Sequence, residues 1–264
     1  MTTPESKAAG LAFQPRADDI FIVTYPKCGT TWVSFIAHCL RTRGSTDFGE
    51  ITEVVPWTIC AGDCGQDLNA EQVASPRLYK SHEDYGDVPK GGKFIYVVRS
   101  PEDVCLSFYN FLLSYAQVDP GSVSIEDFVT HLFAGQGSNS GRIWEHYLSF
   151  YERRDDPNVL WLFYENLLSN PDREIEKIAN FMNVDLDGEL REMTLSQSSM
   201  AYMKGIASKF DDHFVFDACK LRMGFSEDAK VSVGKVHKGV ANAGKAALSP
   251  AILQTLKDEW EKVR

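Results

Sequence analysis

The segment IFIVTYPKCGTTW, Ile20 to Trp32, limits the possible folds more than any other part of the chain. Its unbroken apolar run, Ile20–Tyr25, reads as a strand buried on both faces, and such strands belong to parallel sheets covered by helices. Pro26–Gly29 makes a turn, and a helical stretch follows from about Thr30 to Arg43. At such a junction the unsatisfied N–H groups and the positive end of the helix dipole meet, so an anion can bind there. Gly29 allows close backbone approach, Thr30 and Thr31 add hydroxyls, and Lys27 adds a point charge. The spelling is not that of the GxxxxGK[ST] nucleotide loop. Lys27 precedes the glycine, and Cys28 stands where a Ser or Thr would hold Mg²⁺. An ordinary strand–helix turn with a chance lysine is the alternative.

The rest of the chain repeats the strand-then-helix rhythm. Leu78–Ser81, Phe94–Arg99 and Val159–Phe163 read as further strands. Ser100-Pro101-Glu102-Asp103 carries the Ser cap, first-turn Pro and acid of a helix start. Asn170-Pro171 and Ser249-Pro250 open two more helices, and Thr58–Ala74 and Tyr115–Ser124 read as loops. The expected fold is α/β: one domain over residues 1–264, with a central, mainly parallel sheet flanked by helices in the manner of P-loop nucleotide kinases. Residues 1–12 are expected to be a flexible lead-in.

Lys and Arg total 27 against 37 Asp and Glu, a net charge of -10. That balance argues against nucleic acid and against a membrane surface as partner, but leaves room for a small phosphorylated ligand held by a few local cations. No stretch approaches the roughly 18 apolar residues of a membrane span. The N-terminal residues lack the basic-then-apolar order of a signal peptide. The six cysteines show neither CxxC nor a disulfide framework, which fits reduced thiols in a cytoplasmic protein; no metal site is expected. From Ala229 to Lys257 the chain has no acidic residue but carries Lys230, Lys235, His237, Lys238, Lys245 and Lys257. Such a segment could wrap a phosphate or be a solvated loop.

TYPKCGTTW resembles the TYPKSGTTW phosphosulfate loop of the cytosolic sulfotransferases. FQPRADDIFIV (Phe13–Val23), EVVPW (Glu53–Trp57), SPRLYKSH (Ser75–His82), FIYVVRSPEDVCLSFYNF (Phe94–Phe111), VLWLFYENLLSNPDREIEKIANF (Val159–Phe181) and HKG (His237–Gly239) continue the likeness in order. The resemblance implies transfer of a sulfuryl group from 3′-phosphoadenosine 5′-phosphosulfate (PAPS) to a hydroxyl or amine of a small acceptor, without a metal. It implies His82 as general base, with Lys27, Lys80 and Ser107 also in the catalytic set. The implied donor site comprises Lys27, Cys28, Gly29, Thr30, Thr31, Trp32, Arg99, Ser107, Tyr164, Ser198, Met200, His237, Lys238 and Gly239. Within it Arg99 and Ser107 form the 3′-phosphate clamp, and Trp32 lies near the adenine.

The residues themselves are compatible with these roles. Lys80 and His82 are two apart, so on an extended segment both side chains point to one side. A neutral imidazole can take a hydroxyl proton near neutral pH. A guanidinium at a strand end suits bidentate phosphate recognition. Three departures from the family pattern stand out. Cys28 replaces Ser, placing a thiol in a cationic setting that can lower its pKa. His237 stands where Arg is usual. The C-terminal dimer motif is not recognisable in KAALSPAILQ, so a monomer or weak homodimer is expected. The competing readings are a P-loop kinase using ATP and Mg²⁺, and a catalytically silent nucleotide-binding protein.

Overall fold

A computed structural model describes residues 1–119, 121–231 and 241–263. The chain runs α1 (Pro4–Leu11), β1 (Ile20–Thr24), α2 (Thr30–Thr42), α3 (Ile51–Val54), β2 (Leu78–Ser81), β3 (Lys93–Val98), α4 (Pro101–Tyr115), α5 (Ile125–Phe128) and α6 (Ile143–Tyr151). It continues through β4 (Val159–Phe163), α7 (Tyr164–Ser169), α8 (Pro171–Met182), α9 (Gly188–Gln197), α10 (Met200–Gly205), α11 (His213–Cys219), α12 (Ala243–Ala247) and α13 (Pro250–Val263). The strands form one parallel sheet in the order β2-β1-β3-β4. Ile20 pairs with Leu78 on one side and Lys93 on the other, and Phe94 pairs with Val159.

Alternation along the strands divides the core. Phe21 and Val23 of β1, with Phe94 and Tyr96 of β3, pack on one face against Trp144, Phe150 and Ile252. Ile20 and Ile22, with Ile95 and Val97, pack on the other against Phe35, Ile36, Ile175 and Ile178. All of β1 is buried, as a central strand covered by helices on both faces requires. Burial of side chains this large contributes about 1.5–3 kcal/mol each, so the sheet's carboxyl edge rests on a stiff base.

The helix starts follow their sequence signals. Ser100 Oγ accepts from Asp103 N–H (3.2 Å) at the start of α4, and Asn170 caps α8. Residues 1–12 depart from the flexible lead-in expected of them. Thr3 caps α1, Thr2 and Thr3 both bond to Asp63, and Ser6 Oγ donates to Ile59 carbonyl (2.8 Å). These partners lie more than fifty residues away, so local composition carried no sign of the docking. Within Thr58–Ala74, expected as loop, Thr58–Cys60 makes a 3₁₀ turn.

Candidate functional site

The strand order reverses direction at β1: the chain leaves it for β2 on one side and later returns to β3 on the other. Ligands of open α/β sheets bind at the carboxyl edge beside such a reversal. The β1–α2 turn and the β3–α4 junction flank this crevice.

The turn is held by backbone geometry. Lys27 sits at φ 73° and Gly29 at φ 102°, both in the left-handed region. A Cβ on Gly29 would lie 2.8 Å from the Tyr164 ring, so both conformation and space demand glycine. The N-cap of α2 is Gly29, which has no side chain to offer the leading N–H groups of the helix. Thr30 Oγ1 shares a 2.5 Å hydrogen bond with Thr24 Oγ1, while Thr31 is half-buried. Lys27 Nζ lies 3.9 Å from the centre of the Phe111 ring.

Arg99 follows β3 and crosses to the turn. Its Nη1 donates to the Lys27 carbonyl (3.1 Å), and its guanidinium stacks 4.3 Å from the Tyr164 ring. Its Nε is buried and has no hydrogen-bond partner among the described residues. Trp32 meets Tyr164 edge-on (5.6 Å) and donates from Nε1 to the Ser198 carbonyl (2.9 Å). Met200 begins α10 two residues further on, and half-buried Ser107 lies one turn past Asp103 on α4. Lys27, Gly29, Trp32, Arg99, Tyr164 and Ser198 are thus one connected group. His237, Lys238 and Gly239 lie outside the described residues.

Cys28 differs from expectation. Its thiol points into the core, fully buried, 3.2 Å from Tyr147 Oη. Burial pushes its pKa up to about 12, the opposite of the lowering expected beside a cationic turn. Desolvation of a thiolate outweighs the favourable field of Arg99. Tyr147 Oη donates its one proton to the Arg99 carbonyl (2.7 Å) and accepts the Arg99 N–H (3.1 Å). The thiol is therefore the donor to Tyr147, and this phenol braces both sides of the crevice from behind. Sequence reasoning missed Tyr147 because its partner Cys28 is 119 residues away and no motif surrounds it.

The other half of the site grows from β2. His82 is 9% exposed, and its Nδ1 lies 2.8 Å from the Thr24 carbonyl. A carbonyl only accepts, so Nδ1 carries the proton, and in the neutral form of the ring the lone pair is on Nε2. The His146 Nε2–H donates to the His82 carbonyl (3.1 Å), and Tyr96 Oη donates to His146 Nδ1 (2.7 Å). Burial holds His146 neutral, with its pKa lowered to about 4. Lys80 Nζ lies 4.2 Å from the Trp57 ring centre and 3.8 Å from Asp212 Oδ1. Trp57 also meets the His82 ring edge-on at 5.2 Å, so Lys80 and His82 do share one side. Thr24 and Trp57 lie in the motifs TYPKCGTTW and EVVPW but were not singled out as site residues, and His146 lies in no motif; each acts on His82 across a long sequence interval.

Among the described residues no group of three or more His, Cys, Asp or Glu could hold a metal ion, and no helix is long and apolar enough to cross a membrane. All six cysteines are free thiols.

Residues 17–238 match the family model described as the sulfotransferase domain. A mouse relative, sulfotransferase 1 family member D1, is 35% identical over 203 residues, covering 73% of this chain and 68% of its own. The crystal structure of mouse sulfotransferase SULT7A1 complexed with PAP superposes with a TM-score of 0.72 at 21% identity, covering 99% of this chain and 90% of that one. That of retinol dehydratase, in complex with androsterone and the inactive cofactor PAP, gives 0.76 at 17% identity, covering 98% and 84%.

Proposed function

The chain belongs to the sulfotransferase domain family, and on that premise we propose that its crevice transfers a sulfuryl group from PAPS to a small-molecule hydroxyl or amine, with His82 as the general base. PAPS supplies an activated sulfuryl group on a 5′-phosphate leaving group. PAP, named in the complexes of two fold relatives, is what remains of PAPS after transfer.

The residues fit that donor. A glycine turn with no room for a Cβ, a helix start whose N-cap is a glycine, and a buried Arg99 Nε without a hydrogen-bond partner among the described residues all suit a bound phosphorylated ligand. The observation that carries the reading is the meeting of this cradle with a base of assigned tautomer at one sheet edge. His82 accepts the acceptor's proton at Nε2 while Nδ1 stays bonded to the Thr24 carbonyl, which also stabilises the imidazolium formed. The acceptor heteroatom then bonds to sulfur as the sulfur–oxygen bond to the 5′-phosphate breaks, the phosphate keeping the electron pair. Lys27 offsets the charge on that departing oxygen, and Lys80 that on the transferring group. Arg99, with Ser107, reads the 3′-phosphate.

Incubation with PAPS carrying labelled sulfate and a panel of phenols, alcohols, sterols and amines tests the activity; labelled product is expected, and its absence across the panel would count against the reading. A kinase would use ATP and Mg²⁺, but the residue after Lys27 is Cys28, whose buried thiol bonded to Tyr147 offers a metal nothing. Turnover is therefore expected to persist in EDTA; loss restored by Mg²⁺ would favour the kinase. Replacing Arg99 with Ala is expected to weaken PAP by about 10- to 150-fold, the worth of a charge-assisted hydrogen bond, and adenosine 5′-monophosphate (AMP) hardly at all. Equal weakening of both would remove Arg99 from the 3′ end.

A further inference from the structure

The Asp103 side chain is fully buried in the first turn of α4. A buried carboxylate must be hydrogen-bonded, and Asp103 accepts from the Gly244 N–H (2.7 Å) and the Asn242 N–H (2.9 Å) at the start of α12. Asn242 sits at φ 64° and does not cap α12 with its own side chain. Asp103 supplies, from another helix, the acceptor that a cap residue would provide. The two segments are close enough that a Cβ on Gly244 would lie 2.1 Å from the Glu102 carbonyl oxygen. The other direction from Asp103 leads to the crevice: Arg99 Nη2 lies 3.9 Å from Asp103 Oδ2.

We propose that Asp103 is a positioning residue for the donor site, fixing the direction of the Arg99 guanidinium while anchoring α12 to α4. The inference rests on Arg99 reading the 3′-phosphate. Two neutral N–H bonds satisfy the Asp103 oxygens without cancelling their charge, so the carboxylate still attracts Arg99. With the Lys27 carbonyl on Nη1, the Tyr164 ring beneath and Asp103 beside Nη2, the guanidinium is constrained on three sides. Its buried Nε remains for a ligand. Holding the guanidinium before the donor arrives lowers the ordering cost of binding. Asparagine at 103 would keep an oxygen for Gly244 but would turn an NH₂ toward Asn242 and lose the charge that faces Arg99.

A double-mutant cycle tests this. PAP and AMP are titrated calorimetrically into the wild type, Asp103→Asn, Arg99→Ala and the double variant. Asp103→Asn is expected to weaken PAP about fivefold or more and AMP less than about twofold, and the PAP effect is expected to vanish in the Arg99→Ala background. A PAP loss of equal size in both backgrounds, or equal losses of PAP and AMP, overturns the proposal and leaves Asp103 a structural residue. If Arg99→Ala alone weakens PAP and AMP alike, the 3′ reading of Arg99 fails first, and the inference falls with it. A second measurement needs no variant. On titrating wild-type protein with PAP, the Arg99 side-chain and Gly244 amide NMR signals are expected to shift together, and with AMP neither should. A Gly244 signal that stays still while Arg99 moves overturns the coupling.

Discussion

The two halves of the crevice are built by different means. On the β1–β3 side the backbone is the apparatus: left-handed Lys27 and Gly29, a helix start whose N-cap is a glycine, and a guanidinium strung between a carbonyl and a ring. On the β2 side single side chains matter: one imidazole with its proton assigned by the Thr24 carbonyl, and one lysine over Trp57. On the proposed function the first half holds the donor, so damage to it should appear as lost affinity. On the same reading the second half moves a proton and offsets charge, so damage to it should appear as lost turnover.

The sharpest break of that contrast is His82→Ala. Turnover at saturating acceptor is expected to fall about a hundredfold or more, the ordinary contribution of a general base, with PAP affinity nearly unchanged. Near-normal turnover would remove His82 from the role and with it the division of labour. Gly29→Ala attacks the other half. The methyl would meet the Tyr164 ring at 2.8 Å on a backbone at φ 102°, and strain of about 1–3 kcal/mol should weaken PAP about 5- to 150-fold. An alanine variant with wild-type PAP affinity would show that the turn is not the cradle.

Behind the β2 half, His146 should make stability depend on pH. Its folded pKa is lowered to about 4, while the unfolded chain takes up the proton near the ordinary histidine value of about 6.5. Stability is therefore complete above about pH 6.5 and declines as pH falls toward 4, by up to about 3 kcal/mol for this residue. Urea unfolding at stepped pH should show a shallower decline in His146→Gln; the same slope in both proteins would place the effect elsewhere. The smallest change belongs behind the β1 half. In Cys28→Ser a hydroxyl can still donate to Tyr147, so PAP affinity should shift by less than about threefold, below about 0.7 kcal/mol and at the low end of what one neutral hydrogen bond is worth. A loss above tenfold would mean that residue 28 contacts the ligand rather than the core.

Much of the fold was legible. Leu78–Ser81 and Val159–Phe163 were read with the bounds the strands have, Ile20–Tyr25 runs one residue past the end of β1, and Phe94–Arg99 is shifted by one residue at both ends of β3. These elements announce themselves locally, because an apolar run of strand length and a Ser-Pro or Asn-Pro cap act over a few residues. The short helices α3, α5, α10 and α11 were not read from the sequence, although Ser124 and Ser199 cap α5 and α10, because one or two turns owe their stability to packing. In the site, motif residues were legible and their supports were not. Tyr147 and His146, outside every motif, reach their partners from other elements, and a hydrogen bond to the Thr24 main chain leaves no mark on residue identity.

The amino-acid sequence by itself determined the alternating elements, the glycine at the turn and the residue types gathered at one sheet edge. Periodicity, propensity and capping are properties of neighbours in the chain. Only the tertiary structure decided that the Cys28 thiol faces the core with a raised pKa and that Pro4–Leu11 docks as a helix. It also decided that His82 carries its proton on Nδ1 and that Asp103 joins Arg99 to α12. Each of these depends on desolvation or on a donor–acceptor pair, and both are set by which distant segment lies within about 3 Å, a distance that exists only once the sheet has brought those segments together.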